Sequence, residues 1–335
     1  MSKWYIGVGE QSDIVVSTRI RLARNIADYP FPNKLNTKSR TQLNNLIRDA
    51  VMKNNEFSLK FIEMKTLTRF EAASMAERHI ISPEFASSAD GRALMLSPDE
   101  DISIMLNEED HIRVQVMKPG FALDEAYELA DKIDDSLGAE FNFAFDSRIG
   151  YLTQCPTNLG TGMRASVMLH LPALTMTGRI HRLINTVSKL GLTFRGAFGE
   201  GTAAVGDMYQ LSNQITLGIS EESAIKNLKA ITLQLCAQER SAREELLGDS
   251  NAEDSIYRAY GMLKWARLLS SKELMENLSL VRLGSVTGKI NVPIETINEL
   301  MISMQPASIN VIAGKRLDER ERDIIRAKTV REKLG

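Results

Sequence analysis

The sequence predicts an α+β protein in two parts. An antiparallel sheet flanked by helices is expected over residues 1–240, and an all-helical domain over residues 241–335. Three observations carry this. Several short segments before residue 220 alternate apolar and polar residues, the period of a half-buried strand. Glycine-rich and acidic stretches break these segments apart. After about Ile219 the texture changes to long helical runs.

A length of 335 residues suits two domains. With 43% hydrophobic and 25% charged residues, an ordinary globular core is expected. The net charge of -2 gives no global attraction to nucleic acid or to an anionic membrane, so any anion site must be a local cluster. Cys155 and Cys236 lie far apart without CxxC spacing. That supports neither a disulfide framework nor a cysteine zinc site, and it fits a reducing cytosol. The N-terminus carries no signal-peptide core and no apolar run is long enough to span a bilayer, so a cytoplasmic location is expected.

Taken in order, residues 13–22 form a strand with Val16, Thr18, Ile20 and Leu22 on one face and Arg19 and Arg21 on the other. Residues 37–53 and 66–79 have helical patterns, the second carrying His79 near its end. Residues 92–117 give strands, through Ile102, Ile104 and Leu106 and then Ile112, Val114 and Val116, interrupted by "NEED". An amphipathic helix follows over 121–138 and ends at Gly138. "FNFAFDSRIGYLTQ" gives a strand pair, 163–170 and 174–190 are expected to be helical, and "LTFRGAFGEGTAAVGDMYQLSNQ" has strand and loop character. Ser220 is a plausible N-cap for the long helix after it. Further helices are expected near 253–269, 271–280, 294–304 and 318–334, with capping-box spacing at Ser270 and Glu273.

Five stretches could carry chemistry. "STRIR" (Ser17, Thr18, Arg19, Ile20, Arg21) puts two planar guanidinium donors on one strand face, suited to phosphate oxygens or to plain solvation. His79 is a lone helix histidine, which by itself is usually a surface or capping residue. In "NEEDHIR", three carboxylates crowd one turn, with His111, Arg113 and Gln115 alternating behind them; a solvated turn tip is the alternative. "CPTNLGTGMR" pairs Gly160 and Gly162, which allow close backbone approach to a ligand, with Arg164 at an expected helix start. It is neither a P-loop nor a dinucleotide fingerprint. "RGAFGEG" (195–201) is either a mobile loop closing over a site or a plain hairpin connection. Together, Arg19, Arg21, Arg113, Arg164 and Arg195 point to a nucleotide triphosphate gripped by guanidinium forks.

These residues resemble the phosphagen (guanidino) kinases. "CPTNLGT" is that family's signature, and "STRIRLARN", "NEEDHIR", "RAS" and "RGAFGE" occur in the family's order over roughly residues 13–220. Within the family the sequence is most similar to the bacterial protein-arginine kinase branch, the McsB type. Members acting on free guanidino metabolites carry a helical domain ahead of the "STRIR" strand. Here only residues 1–16 precede it, and the extra helices follow at the C-terminus.

The resemblance implies transfer of a phosphoryl group from ATP, with Mg2+, to arginine side chains of proteins. It implies ATP contacts from the "STRIR" residues, His79, Arg113, Arg164, Ala165, Ser166, Val167 and Met168, and from Arg195, Gly196, Ala197, Phe198, Gly199 and Glu200. Glu109 and Glu200 match the two guanidinium carboxylates, Glu109 as base and Glu200 as orienter, and Cys155 matches the cysteine beside the guanidinium. No protein metal ligands are expected; magnesium would bridge the phosphates with water completing its shell. "RDIIRA" resembles a phosphoarginine pocket made by Arg322, Asp323, Arg326 and Ala327, although charge pattern alone gives a solvated helix face. The resemblance also implies a homodimer through the helical domain, a McsA-type activator and delivery of marked proteins to the ClpC–ClpP protease in a stress response. A free-arginine kinase and a non-catalytic phosphoarginine-binding adaptor are the alternatives.

Overall fold

Strand β1 (Val15–Arg24) is the spine of the molecule. The computed structural model describes residues 3–53, 56–197 and 204–335. After β1 come α1 (Thr37–Met52), β2 (Lys60–Glu63), α2 (Arg69–Glu77), α3 (Pro83–Ala86), β3 (Ala93–Leu96), β4 (Ile102–Leu106), β5 (Ile112–Pro119) and α4 (Leu123–Gly138). A small hairpin, β6 (Phe145–Asp146) and β7 (Gly150–Tyr151), leads to β8 (Met163–His170), α5 (Pro172–Met176), α6 (Ile180–Lys189), β9 (Leu192–Gly196) and β10 (Met208–Asn213). Helices α7 (Glu221–Leu246), α8 (Ser250–Trp265), α9 (Ser271–Val286), α10 (Ile294–Ser303), α11 (Pro306–Ala313) and α12 (Glu319–Leu334) complete the chain. The large sheet has the order β2-β3-β4-β5-β1-β8-β10-β9, and its neighbours pair antiparallel. The α+β expectation holds.

One sheet face is apolar. Ile20 and Leu22 of β1, Val114 and Val116 of β5, and Val167 of β8 pack there against Ala126, Ala130 and Ile133 of α4 and Leu228 and Leu235 of α7. The spacing of three and four along α4 is what turns its apolar stripe onto the sheet. Arg24, at the end of β1, is nearly fully buried. It donates to Asp134 on α4 at 3.0 and 2.7 Å and lies 3.5 Å from the centre of the Tyr151 ring. The opposite face is polar and carries the site.

Three sequence expectations are corrected. Residues 163–170 are not a helix but β8, a central strand bonded to β1 on one side and β10 on the other. Met, Ala and Leu favour helices locally, but Met163, Ala165, Val167 and Leu169 alternate into the core, and pairing on both edges overrides the propensity. Val16 does not share a face with Ile20 and Leu22. The register shifts between Val15 and Ser17, so Val15 enters the sheet core while Val16 packs with Met168 and Met208 against the C-terminal helices. Helix α2 is shorter than expected: a capping box at Thr68 and Glu71 starts it, and His79 lies beyond its end at φ +58°.

The C-terminal helices form a second apolar cluster seated on Val16, Met168 and Met208. Both expected caps are present, Ser220 on α7 and the Ser270–Glu273 box on α9. The junction is held by Arg282 of α9, which is fully buried. It donates to the carbonyls of Ser12 and Asp13 at 2.7 and 3.0 Å, to His170 Nδ1 at 3.0 Å and to Asn298 Oδ1 at 3.1 Å. Helix α11, which had no counterpart in the sequence reading, docks on α2. Glu77 accepts from the Ala307 and Ser308 amides, each at 2.8 Å.

The two glycines of the "CPTNLGTGMR" loop serve the chain itself. At Gly160, φ is +106° and an added Cβ would sit 2.3 Å from the Thr216 carbonyl oxygen; at Gly162, φ is +63° and the nearest backbone atom is the Ala23 oxygen at 2.7 Å. The close approach expected toward a ligand is therefore an approach to neighbouring backbone. Gly160→Ala should destabilise the fold by about 2 kcal/mol or more, from backbone strain and clash together. Denaturant unfolding checks this, and an unchanged midpoint would contradict it.

Candidate active site

Antiparallel register places five arginines on the polar sheet face. Arg19 and Arg21 come from β1, Arg113 from β5, Arg164 from β8 and Arg195 from β9, and all line one cleft of about 1680 Å³. Arg19 and Arg21 stand inside β1 as expected, and Arg164 stands in β8, not at a helix start. Arg21 lies directly opposite Arg164, and Arg19 opposite Ser166. Like charges directly opposed across two strands destabilise a sheet.

Little among the described residues offsets them. The Nε atoms of Arg21 and Arg164 are buried with no hydrogen-bond partner among the described residues. Burial, then Arg19, Arg113 and Arg164 in turn, hold the Arg21 guanidinium well below its ordinary pKa. Burial and then Arg113 and Arg164 bring Arg19 to about 10, and burial followed by Arg195 and Arg113 lowers Arg164. Arg19 donates to the neutral groups Ser166 Oγ at 3.3 Å and Gln210 Oε1 at 2.6 Å. Among the described residues one carboxylate forms an ion pair with the cluster: Glu108 pairs with Arg113 and also accepts from Ser82. The contrast with Arg24 and its own aspartate is direct. The face is built for a multiply charged anion supplied from outside.

Beside the arginines the cleft is acidic. The turn from β4 to β5 carries Glu109, whose carboxyl is pushed above its ordinary range by burial first and by the Glu108 charge second. Cys155 lines the same cleft, with Sγ 3.1 Å from Thr157 Oγ1. Asp110 locks the two loops together. Its Oδ1 accepts from Asn25 Nδ2 at 2.6 Å and from the Gln154 amide at 2.8 Å, while Asn25 Oδ1 accepts from the His111 amide at 3.0 Å. The acidic turn, the end of β1 and the cysteine loop thus form one bonded unit. His79 also lines the cleft; burial, with Arg19 second, depresses its imidazole to about 3, so it is neutral.

Other expected site residues lie elsewhere. Ile20, Ala165 and Val167 are in the apolar core and Met168 is in the C-terminal cluster. Ser17 is buried, and Thr18 donates to the Gly120 carbonyl oxygen at 2.7 Å. Gly196 and Ala197 line the cleft. Phe198, Gly199 and Glu200 lie outside the described residues. On α12, Arg326 is buried, donating to Met304 O at 2.9 Å, Leu269 O at 2.7 Å and Asp323 Oδ1 at 2.5 Å. Arg322 donates to Leu317 O at 2.7 Å, and Ala327 is buried. The sequence reading gave no role to Glu108, Asp110, Asn25 or Gln210. Gln210 could have been found, since it alternates with buried Tyr209 and Leu211 in "MYQLS". Among the described residues no group of three His, Cys, Asp or Glu side chains could hold a metal ion.

The sequence model of the ATP:guanido phosphotransferase C-terminal catalytic domain matches residues 42–242. The chain belongs to this family. Guanido phosphoryl transfer needs a phosphate grip next to a carboxylate, and the five arginines and Glu109 line one cleft. A second match, to the protein-arginine kinase McsB C-terminal domain, covers residues 249–335. A relative called protein-arginine kinase, from Halothermothrix orenii, is 44% identical over 338 residues, spanning 100% of this chain and 97% of its own. Among solved structures, a lombricine kinase superposes with a TM-score of 0.60 at 26% identity, over 70% of this chain and 68% of that one. A duplicated taurocyamine kinase from Schistosoma mansoni gives 0.59 at 29% identity, covering 68% of this chain. This chain spans 33% of that duplicated protein.

Proposed function

We propose that the protein is an ATP-dependent protein-arginine kinase, transferring the γ-phosphoryl group of ATP to a guanidinium nitrogen of arginine side chains in proteins. The observation that carries this is the Arg21–Arg164 opposition, in which neither Nε has a hydrogen-bond partner among the described residues, in one cleft with Glu109. The full-length likeness to a protein-arginine kinase and the McsB-type C-terminal match favour a protein acceptor.

The chemistry assigns roles. An arginine guanidinium has a pKa above about 12 and delocalised lone pairs, so it is a poor nucleophile. Glu109 holds it by a fork and takes a proton from the attacking nitrogen as the N–P bond forms. The bond from the γ-phosphorus to the bridging oxygen breaks, and ADP leaves. Arg21, Arg113, Arg164 and Arg195 stabilise charge spreading over the phosphates, and positioning supplies most of the remaining rate. Cys155 lies close to the guanidinium site without acting as a nucleophile. Glu200 is assigned as the second guanidinium carboxylate. Magnesium travels with the nucleotide phosphates as part of the substrate.

The rest of the proposal concerns setting. Residues 1–240 form the catalytic unit and residues 241–335 a unit for dimerisation and for phosphoarginine binding near Arg322, Asp323 and Arg326. The enzyme acts in the cytoplasm under stress, with a McsA-type activator, and hands marked proteins to ClpC–ClpP. In support, no helix among the described residues is long and apolar enough to cross a membrane.

Labelled ATP offered with an arginine-bearing protein or with free L-arginine tests the acceptor. The protein should be phosphorylated at least about tenfold more efficiently. Equal or better turnover of free arginine would make this a free-arginine kinase.

A further inference from the structure

The arginines make only part of the cleft wall. Around neutral His79 the wall also includes Ala73, Ala76 and Glu77 of α2 and Gln305 at the start of α11, and the Glu77 carboxylate is taken up by the Ala307 and Ser308 amides. The charge of Arg19 acts on His79, so this part of the wall adjoins the arginines. With the triphosphate on the arginines, the wall around His79 and Gln305, where Glu77 is already bonded, is left for the nucleobase.

Gln305 is the one side chain of the C-terminal helices that lines this cleft among the described residues. Its position is fixed from both sides. The preceding Met304 carbonyl accepts from Arg326 Nε at 2.9 Å. The following Ala307 and Ser308 amides are held by Glu77, two residues before His79. Its amide orientation is fixed as well. The Met301 carbonyl oxygen, 2.7 Å away, can only accept, so the group facing it is Nε2. A second contact, to Met275 Sδ at 3.4 Å, also uses Nε2. Oε1 has no partner among the described residues and is the hydrogen-bonding atom Gln305 has to offer.

We propose that Gln305 Oε1 accepts a hydrogen bond from the exocyclic amino group of adenine, so that nucleotide selectivity is set by the C-terminal helices and not by the catalytic sheet alone. Adenine presents an N–H donor at this edge. Guanine presents an oxygen, which would oppose Oε1. The inference rests on the kinase reading above and adds to it the residue that chooses the nucleotide.

The full-length enzyme is assayed with ATP, GTP and the triphosphate of purine riboside, which lacks only the adenine amino group. The wild type should prefer ATP over the other two by about tenfold or more in kcat/KM. In Gln305→Leu, of similar volume and without an acceptor, the ATP preference should fall by about fivefold or more, while kcat at saturating ATP stays within about twofold. Equal use of ATP and the purine riboside triphosphate by the wild type would overturn the proposal without any variant. An undiminished ATP preference in a folded Gln305→Leu enzyme would overturn it too. No transfer from any of the three nucleotides would overturn the kinase reading, and this proposal with it.

Discussion

Glu109→Gln lowers the rate of phosphoryl transfer by about 10²–10⁴ and leaves ATP affinity within about twofold. The substitution keeps size and one hydrogen-bonding oxygen but removes the base. Glu109 sits on the turn between β4 and β5, and Asp110, which holds that turn to Asn25 and Gln154, is untouched. Geometry should therefore survive while proton acceptance is lost. The carboxyl is raised above its ordinary range by burial and by Glu108. The sign follows: the carboxylate is the working form, so kcat is full above this raised pKa and falls as pH drops through it. In Glu109→Gln that acidic limb should vanish along with most of the rate. Activity within about tenfold of the parent would remove Glu109 from the role of base.

Arg164→Met has an effect of opposite sign on stability and on function. Arg164 faces Arg21 across β1 and β8, and its Nε is buried with no partner among the described residues. Without nucleotide, this arrangement costs the fold. Replacing the guanidinium by an apolar side chain of similar length removes the repulsion and the unsatisfied donor, and should stabilise the free protein by about 1 kcal/mol. The same change removes a charge that grips the phosphates. kcat/KM for ATP should fall by about 10³ or more. Thermal unfolding with and without nucleotide separates the two effects. ATP at about a hundred times its Kd should add about 2.7 kcal/mol to the wild type and much less to the variant. Unchanged ATP affinity, or a less stable free variant, would show that Arg164 is a structural arginine like Arg24.

Much of the fold follows from local pattern. The alternation in β4 and β5, the caps at Ser220 and Ser270, and the stripe of α4 each carry their signal within a few residues. Strand β8 does not. "MRASVMLH" is a good local helix, and it becomes a strand because β1 and β10 flank it. The same distinction runs through the site. Arg19, Arg21, Arg113, Arg164 and Arg195 are legible as a set, because isolated arginines among strands are unusual and the family motifs carry them. Their mutual opposition is not legible, since cross-strand register joins residues as distant as Arg21 and Arg164. Gly160 and Gly162 were legible as positions needing glycine, but not what approaches them. Gln305 gives no signal in the sequence, because only the docking of α11 on α2 brings it to the cleft.

The central claim is that this arginine-lined cleft makes a phosphorus–nitrogen bond on a protein arginine. The most direct measurement incubates the enzyme with ATP and an arginine-bearing protein, and identifies the modified side chain by mass spectrometry and phosphorus NMR. The account predicts acid-labile phosphate on arginine nitrogen. It should be absent when the acceptor's arginines are replaced by lysine, and absent again when Glu109→Gln replaces the wild-type enzyme. Phosphate found only on hydroxyl side chains, or arginine phosphate undiminished in Glu109→Gln, would contradict it.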